Sequence, residues 1–118
     1  MSLAFTKTKQ VVLRDLIKVY GTLVFSNNYA AGGEILDLTG KDLSGIRTPP
    51  TFGVIRGRAG FVYCLVPGTT LANGKVMIYC NTAGGANAAL GEHTAAAVVA
   101  GVTGDTIVAE LTFDRAQQ

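Results

Sequence analysis

The sequence predicts an all-β fold: a compact antiparallel β-sandwich, or a barrel-like variant, of seven or eight short strands with at most one short helical turn. Three observations predict it. Apolar and β-branched side chains recur at every second position in the best-patterned stretches. Gly, Pro and Asn punctuate the chain at short intervals. The best helical candidate is only about one turn long, too short to nucleate a helix by itself.

The elements follow in order. Residues 1–10 are expected to form an extended N-terminal arm, able to lie over a partner or to add a strand to a neighbour's sheet edge. Residues 11–118 form the single β domain, as the length suggests. Residues 11–15 read as a strand turning a tight corner at Asp15-Leu16. In residues 17–25, Ile17, Val19, Leu23 and Phe25 alternate with Lys18, Tyr20, Thr22 and Val24. Gly21 falls on the apolar side of that strand and marks a bulge or a close backbone approach.

A turn-rich segment, residues 26–33, precedes a short strand at 34–38. Residues 39–44 are the helical candidate, with Thr39 as its cap and Asp42 completing a weak capping box. Pro49-Pro50 then enforces extended chain. Further strands are expected at 51–56, 61–66 and 76–80, separated by Gly57, Gly60, Pro67-Gly68 and Asn73-Gly74. Residues 81–105 are rich in Ala, Gly, Asn and Thr and have too few large side chains for a core of their own. They read as a loop or flap, with 95–102 as a strand, preferred on the strength of Val98, Val99 and Val102 over the alternative of a short helix through its alanines. The clearest half-buried strand is 107–114, where Ile107, Ala109, Leu111 and Phe113 alternate with Val108, Glu110, Thr112 and Asp114.

Composition narrows the function. Only 15% of the residues are charged while 48% are hydrophobic, against a soluble-protein norm of about 25% charged. So short a chain cannot enclose that much apolar surface, and large exposed apolar patches mark interfaces. The formal charge is +2, with no dense basic stripe, so nucleic acid is not the expected partner. The polar start and the lack of an uninterrupted apolar run of about 20 residues predict neither a secretory leader nor a membrane span.

The chemistry-bearing residues are sparse. Cys64 and Cys80 sit in runs expected to form a hairpin. There they would share a face at a diagonal offset of about 7–8 Å, beyond disulfide reach, and remain free thiols. With His93 far from both in sequence, they lack metal-ligand spacing, and no metal or other cofactor is expected. His93 and Glu92 are the nearest approach to a catalytic pair, without a third group to orient the ring. The expectation is therefore no enzyme and no catalytic residues. A glycan- or host-surface-binding module is the alternative, with Tyr29 and Asn27-Asn28 as the loop that would carry it.

The run Thr6-Lys7-Thr8-Lys9-Gln10-Val11-Val12-Leu13, then Val19-Tyr20-Gly21-Thr22-Leu23-Val24-Phe25, then Tyr29-Ala30-Ala31-Gly32-Gly33-Glu34, then Leu38 to Leu43, resembles a class of small structural proteins of tailed bacteriophages. Within it the nearest role is the capsid decoration, or cement, protein. The likeness spans about residues 6–45, with a weaker echo at 107–113. It implies a β-rich homo-oligomer, a trimer by preference, that bridges capsomers on the outer surface of the virion and is made in the host cytoplasm. It also implies the major capsid protein as partner. Phe5, Lys7, Lys9, Asn28 and Tyr29 are the expected capsid or inter-subunit contacts.

Overall fold

The structure, a computed structural model, describes residues 3–81 and 89–118. Among the described residues eight strands form two antiparallel sheets, as the alternation predicts. The first sheet contains β1 (Leu3–Val12), β2 (Leu16–Phe25), β8 (Ile107–Asp114) and β4 (Phe52–Arg56), in that order. The second runs β3 (Glu34–Leu36), β6 (Gly74–Cys80), β5 (Val62–Val66), with β7 (Gly91–Glu92) also paired to β6.

The segment expected as a free arm is instead the first strand of the fold. β1 pairs with β2 from Leu3↔Phe25 to Val12↔Ile17. Leu3 and Phe5 are buried in the core, so the polar look of residues 1–10 hid an inward-facing apolar pair. The register slips between Lys7 and Lys9, directly opposite Gly21. A bulge of this kind adds one residue to one strand and re-aims the side chains beyond it. It carries Lys9 to the position opposite Tyr20.

β8 is the spine of the first sheet. It pairs with β2 on one side and β4 on the other, and Ile107, Ala109, Leu111 and Phe113 all face the core. From β2, Ile17, Val19, Leu23 and Phe25 join them. The opposing layer contributes Leu36, Tyr63, Val76 and Ile78. Across the layers the rings of Phe25 and Tyr63 stack at 5.8 Å and 18°.

Two further expectations are corrected. Residues 39–44 hold no helix; Asp42 has φ +59, outside the helical region. The cap points the other way: Asp37 accepts from the backbone N–H and hydroxyl of Thr39, an Asx-type turn. Residues 95–102 form no strand. Ala97 makes an isolated bridge to Asn28, and the chain then enters a single helical turn, α1 (Ala100–Thr103), that buries Val102. A one-turn 3-10 helix, Arg115–Gln117, follows β8. Of the 81–105 flap, residues 82–88 lie outside the described residues.

Candidate interaction surface

Strand alternation divides the side chains between the core and two outer faces. On the first sheet, cross-strand pairing sets three outward rows: Phe52–Thr112–Lys18, Val54–Glu110–Tyr20–Lys9 and Arg56–Val108–Thr22. Phe52, Val54 and Val108 are 61%, 42% and 44% exposed. Between Val54, Val108 and Tyr20 lies an open depression of about 490 Å³, floored by Gly21 and Ala109 and edged by Arg56 and Thr8.

The charges on this face are unevenly matched. Lys18 Nζ lies 2.7 Å from Glu110 Oε1, which also accepts from the Tyr20 hydroxyl at 3.3 Å. The Lys18 hydrogen bond holds the Glu110 carboxyl below its usual range, and the same bond raises the lysine. Lys9 Nζ sits 5.3 Å from the Tyr20 ring centroid, a cation–π distance. Among the described residues no carboxylate pairs with the Arg56 guanidinium.

The second sheet presents Ile35, Lys75 and Val66 in one outward row, Met77 and Cys64 in the next, and Tyr79 and Val62 in a third. Ile35, Val62 and Val66 are exposed. The register also corrects the cysteine geometry. Cys64 pairs with Met77 and faces outward, whereas Cys80, three residues further along β6, faces the other side of the sheet. Both thiols are free.

Most acidic groups are engaged by the backbone. Glu34, Asp37, Glu92, Asp105 and Asp114 accept from the N–H groups of Ala30, Thr39, Gly32, Arg58 with Ala59, and Ala116 respectively. They pin loops, as carboxylates commonly do in turns. Burial pushes the Asp105 carboxyl up, but the N–H groups of Arg58 and Ala59 and the Tyr63 hydroxyl together hold it below its usual range.

Of the residues singled out from the sequence, Lys9 lies on the outer face of the first sheet and Asn28 is exposed beside Ala97. Lys7 turns instead to the 39–44 loop, 3.5 Å from Asp42 Oδ2 and 2.8 Å from its carbonyl. Phe5 and Tyr29 are 3% and 2% exposed and cannot touch a partner without unfolding. Tyr29 closes a gap in the second sheet. β3 begins opposite Val76 and β7 ends opposite Tyr79; at Ile78 between them, the Tyr29 hydroxyl accepts the N–H at 3.1 Å. That hydroxyl donates in turn to Glu92 Oε2 at 2.7 Å.

His93 is buried beside the Tyr29 ring. Its Nδ1 lies 2.7 Å from the Thr94 carbonyl, and its Nε2 is enclosed with no hydrogen-bond partner. Among the described residues no three His, Cys, Asp or Glu side chains gather as a metal site, and no helix is long and apolar enough to cross a membrane. Sequence reasoning missed Phe52, Val54, Val108 and Arg56. The signal for them was present, because β4 sets Phe52 and Val54 opposite in parity to Ile55 and β8 sets Val108 opposite to Ile107, and a strand apolar on both sides has two faces to cover.

No family model, no curated protein and no solved structure matches the chain.

Proposed function

We propose that this protein is a non-enzymatic structural component of a phage particle, binding the outer surface of the capsid and stabilising the shell as a homo-oligomer. The observation that carries the reading is the outward apolar surface of a two-sheet fold that already has a complete core. Phe52, Val54 and Val108 on one sheet and Ile35, Val62 and Val66 on the other remain in water in the isolated chain. Large apolar side chains on both outer faces favour association, and symmetric repetition multiplies weak contacts into firm retention. The resemblance of residues 6–45 to phage decoration proteins supplies the setting.

The alternatives lose their named residues. A glycan-binding loop would display Tyr29, and that side chain is buried and hydrogen-bonded at both its donor and its acceptor. A hydrolase would use His93 and Glu92, but the imidazole is enclosed and the carboxylate holds Tyr29 and Gly32. Two measurements test the proposal: light scattering coupled to size-exclusion chromatography, and co-sedimentation with expanded shells of the phage carrying this gene. The expected results are a closed oligomer, a trimer by preference, and retention on the shell. A monomer that stays in the supernatant overturns the reading.

A further inference from the structure

We infer that the outer face of the first sheet is the side that meets the shell, and that it takes a protein surface acidic around an apolar centre. The inference rests on the function proposed above and goes further by assigning the face and the chemistry of its partner. Charge decides the assignment. This face carries Lys9, Lys18 and Arg56, with Glu110 and, at the end of β8, Asp114 as its acids; Glu110 is already engaged by Lys18 and Asp114 by the N–H of Ala116. Just beyond the end of β4, Arg58 lies with Arg56 around a shallow hollow edged by Val108.

The acids that could have neutralised these arginines are committed elsewhere. Asp105, which holds the loop after β4, receives the backbone N–H of Arg58 at 2.7 Å and not its guanidinium. Unpaired guanidinium groups beside exposed valines suit a partner whose carboxylates ring an apolar patch, since Arg is the residue best fitted to planar pairing with carboxylates. A second copy of the chain is a poor occupant. In a two-fold contact the same patch meets itself, and here that would oppose cation to cation. Duplex DNA is poorer still, because the cations are interleaved with valine and phenylalanine in place of a continuous basic track.

The test uses the full chain and expanded shells of the phage carrying this gene, depleted of the protein. The variants are the double charge reversal Arg56→Glu with Arg58→Glu, and, on the opposite sheet, Val62→Ser with Val66→Ser. All four side chains are exposed, so each variant should keep the native circular dichroism spectrum. The charge-reversed variant should lose about tenfold or more in shell affinity, and wild-type affinity should fall as salt rises. The Val62/Val66 variant should bind the shell as wild type does. Unchanged binding by the charge-reversed variant, or loss confined to the Val62/Val66 variant, overturns the face assignment and leaves the proposed function standing. Displacement of the protein from shells by duplex DNA also overturns it. Failure of the wild type to bind shells at all overturns the function itself.

Discussion

The ring of Phe5 lies over Gly21 so closely that a Cβ at position 21 would stand 2.6 Å from it, and 2.5 Å from the Thr6 carbonyl oxygen. The close approach anticipated at Gly21 is therefore a packing contact between β1 and β2, with the β1 bulge directly across from it. It also explains why β1 belongs to the domain, since Phe5 fills the space that a side chain on β2 would otherwise occupy. Gly21→Ala should destabilise by about 1–3 kcal/mol through overpacking. Phe5→Ala should cost about 3–5 kcal/mol through the cavity it leaves. In a double-mutant cycle by urea unfolding, Phe5→Leu should recover part of the Gly21→Ala loss, but not all of it. The Thr6 carbonyl stays where it is.

Tyr29 makes a second prediction. Tyr29→Phe removes the acceptor for the Ile78 N–H and the donor to Glu92, at a cost of about 1–3 kcal/mol for buried groups left unpaired. Burial, reinforced by the Glu92 hydrogen bond, pushes the Tyr29 phenol well above the ordinary value of 10.0; burial and Asp105 do the same for Tyr63. A folded-state value above the unfolded one means stability is fully present below about pH 10 and lost as pH rises beyond it. Melting temperature should therefore fall above that pH, together with a late rise in tyrosinate absorbance. Tyr29→Phe should shrink that alkaline loss. An alkaline limb equal to that of the wild type would count against the arrangement.

How far the sequence reveals this molecule can be judged from particular residues. The strands β2 and β8 are legible because period-two alternation survives along their whole length, and they form the centre of the first sheet. β1 is not, because Lys7, Thr8, Lys9 and Gln10 dominate its composition and a bulge breaks its alternation midway. Tyr29 reads as a loop aromatic, and only the three-dimensional gap between β3 and β7 explains its burial. At residues 95–102 the β-branched valines favour a strand over the alternative short helix, and the chain takes a helical turn at Ala100–Thr103. Tertiary packing of Val102 into the core outweighs their strand preference. Among the anticipated contacts, Lys9 reached the outer face, while the decisive apolar residues were overlooked because single exposed valines in a strand look ordinary.

Asp105 governs the acid side. Its Oδ1 accepts from the Arg58 and Ala59 N–H groups at 2.7 and 3.1 Å, and its Oδ2 from the Tyr63 hydroxyl at 2.7 Å. The Asp105 and Glu110 carboxyls both titrate below their ordinary values of 3.8 and 4.5 in the folded chain. A depressed folded-state value contributes stability above the unfolded one and loses it as pH falls through the depressed range. Urea unfolding should therefore show stability declining below about pH 4.5. Asp105→Asn should flatten that decline, and Asp105→Ala should cost about 1 kcal/mol at neutral pH, chiefly through the part-buried Tyr63 hydroxyl, because the exposed N–H groups of Arg58 and Ala59 can turn to water. An Asp105→Ala variant as stable as wild type would show that the loop at residues 57–59 is held by something else.

The exposed residues of the first sheet give the opposite expectation. Phe52 and Val54 stand outside the core, so the double variant Phe52→Ser with Val54→Ser should change the stability of the isolated chain by no more than about 0.5 kcal/mol per site. If the face were merely a greasy outer surface, nothing more would follow. If it is an interface, removing its apolar centre while keeping Arg56 and Arg58 should lower shell retention about tenfold or more, since truncation at the middle of a contact weighs more than truncation at its rim. Stability and retention thus respond in opposite ways to core and face substitutions. Gly21→Ala should weaken the fold with shell binding intact wherever the protein remains folded, whereas Phe52→Ser with Val54→Ser should weaken binding with the fold intact. Co-sedimentation and urea unfolding of both variants separate the two effects. A matched loss of stability and retention in the Phe52/Val54 variant would mean that these side chains support the sheet and do not contact a partner.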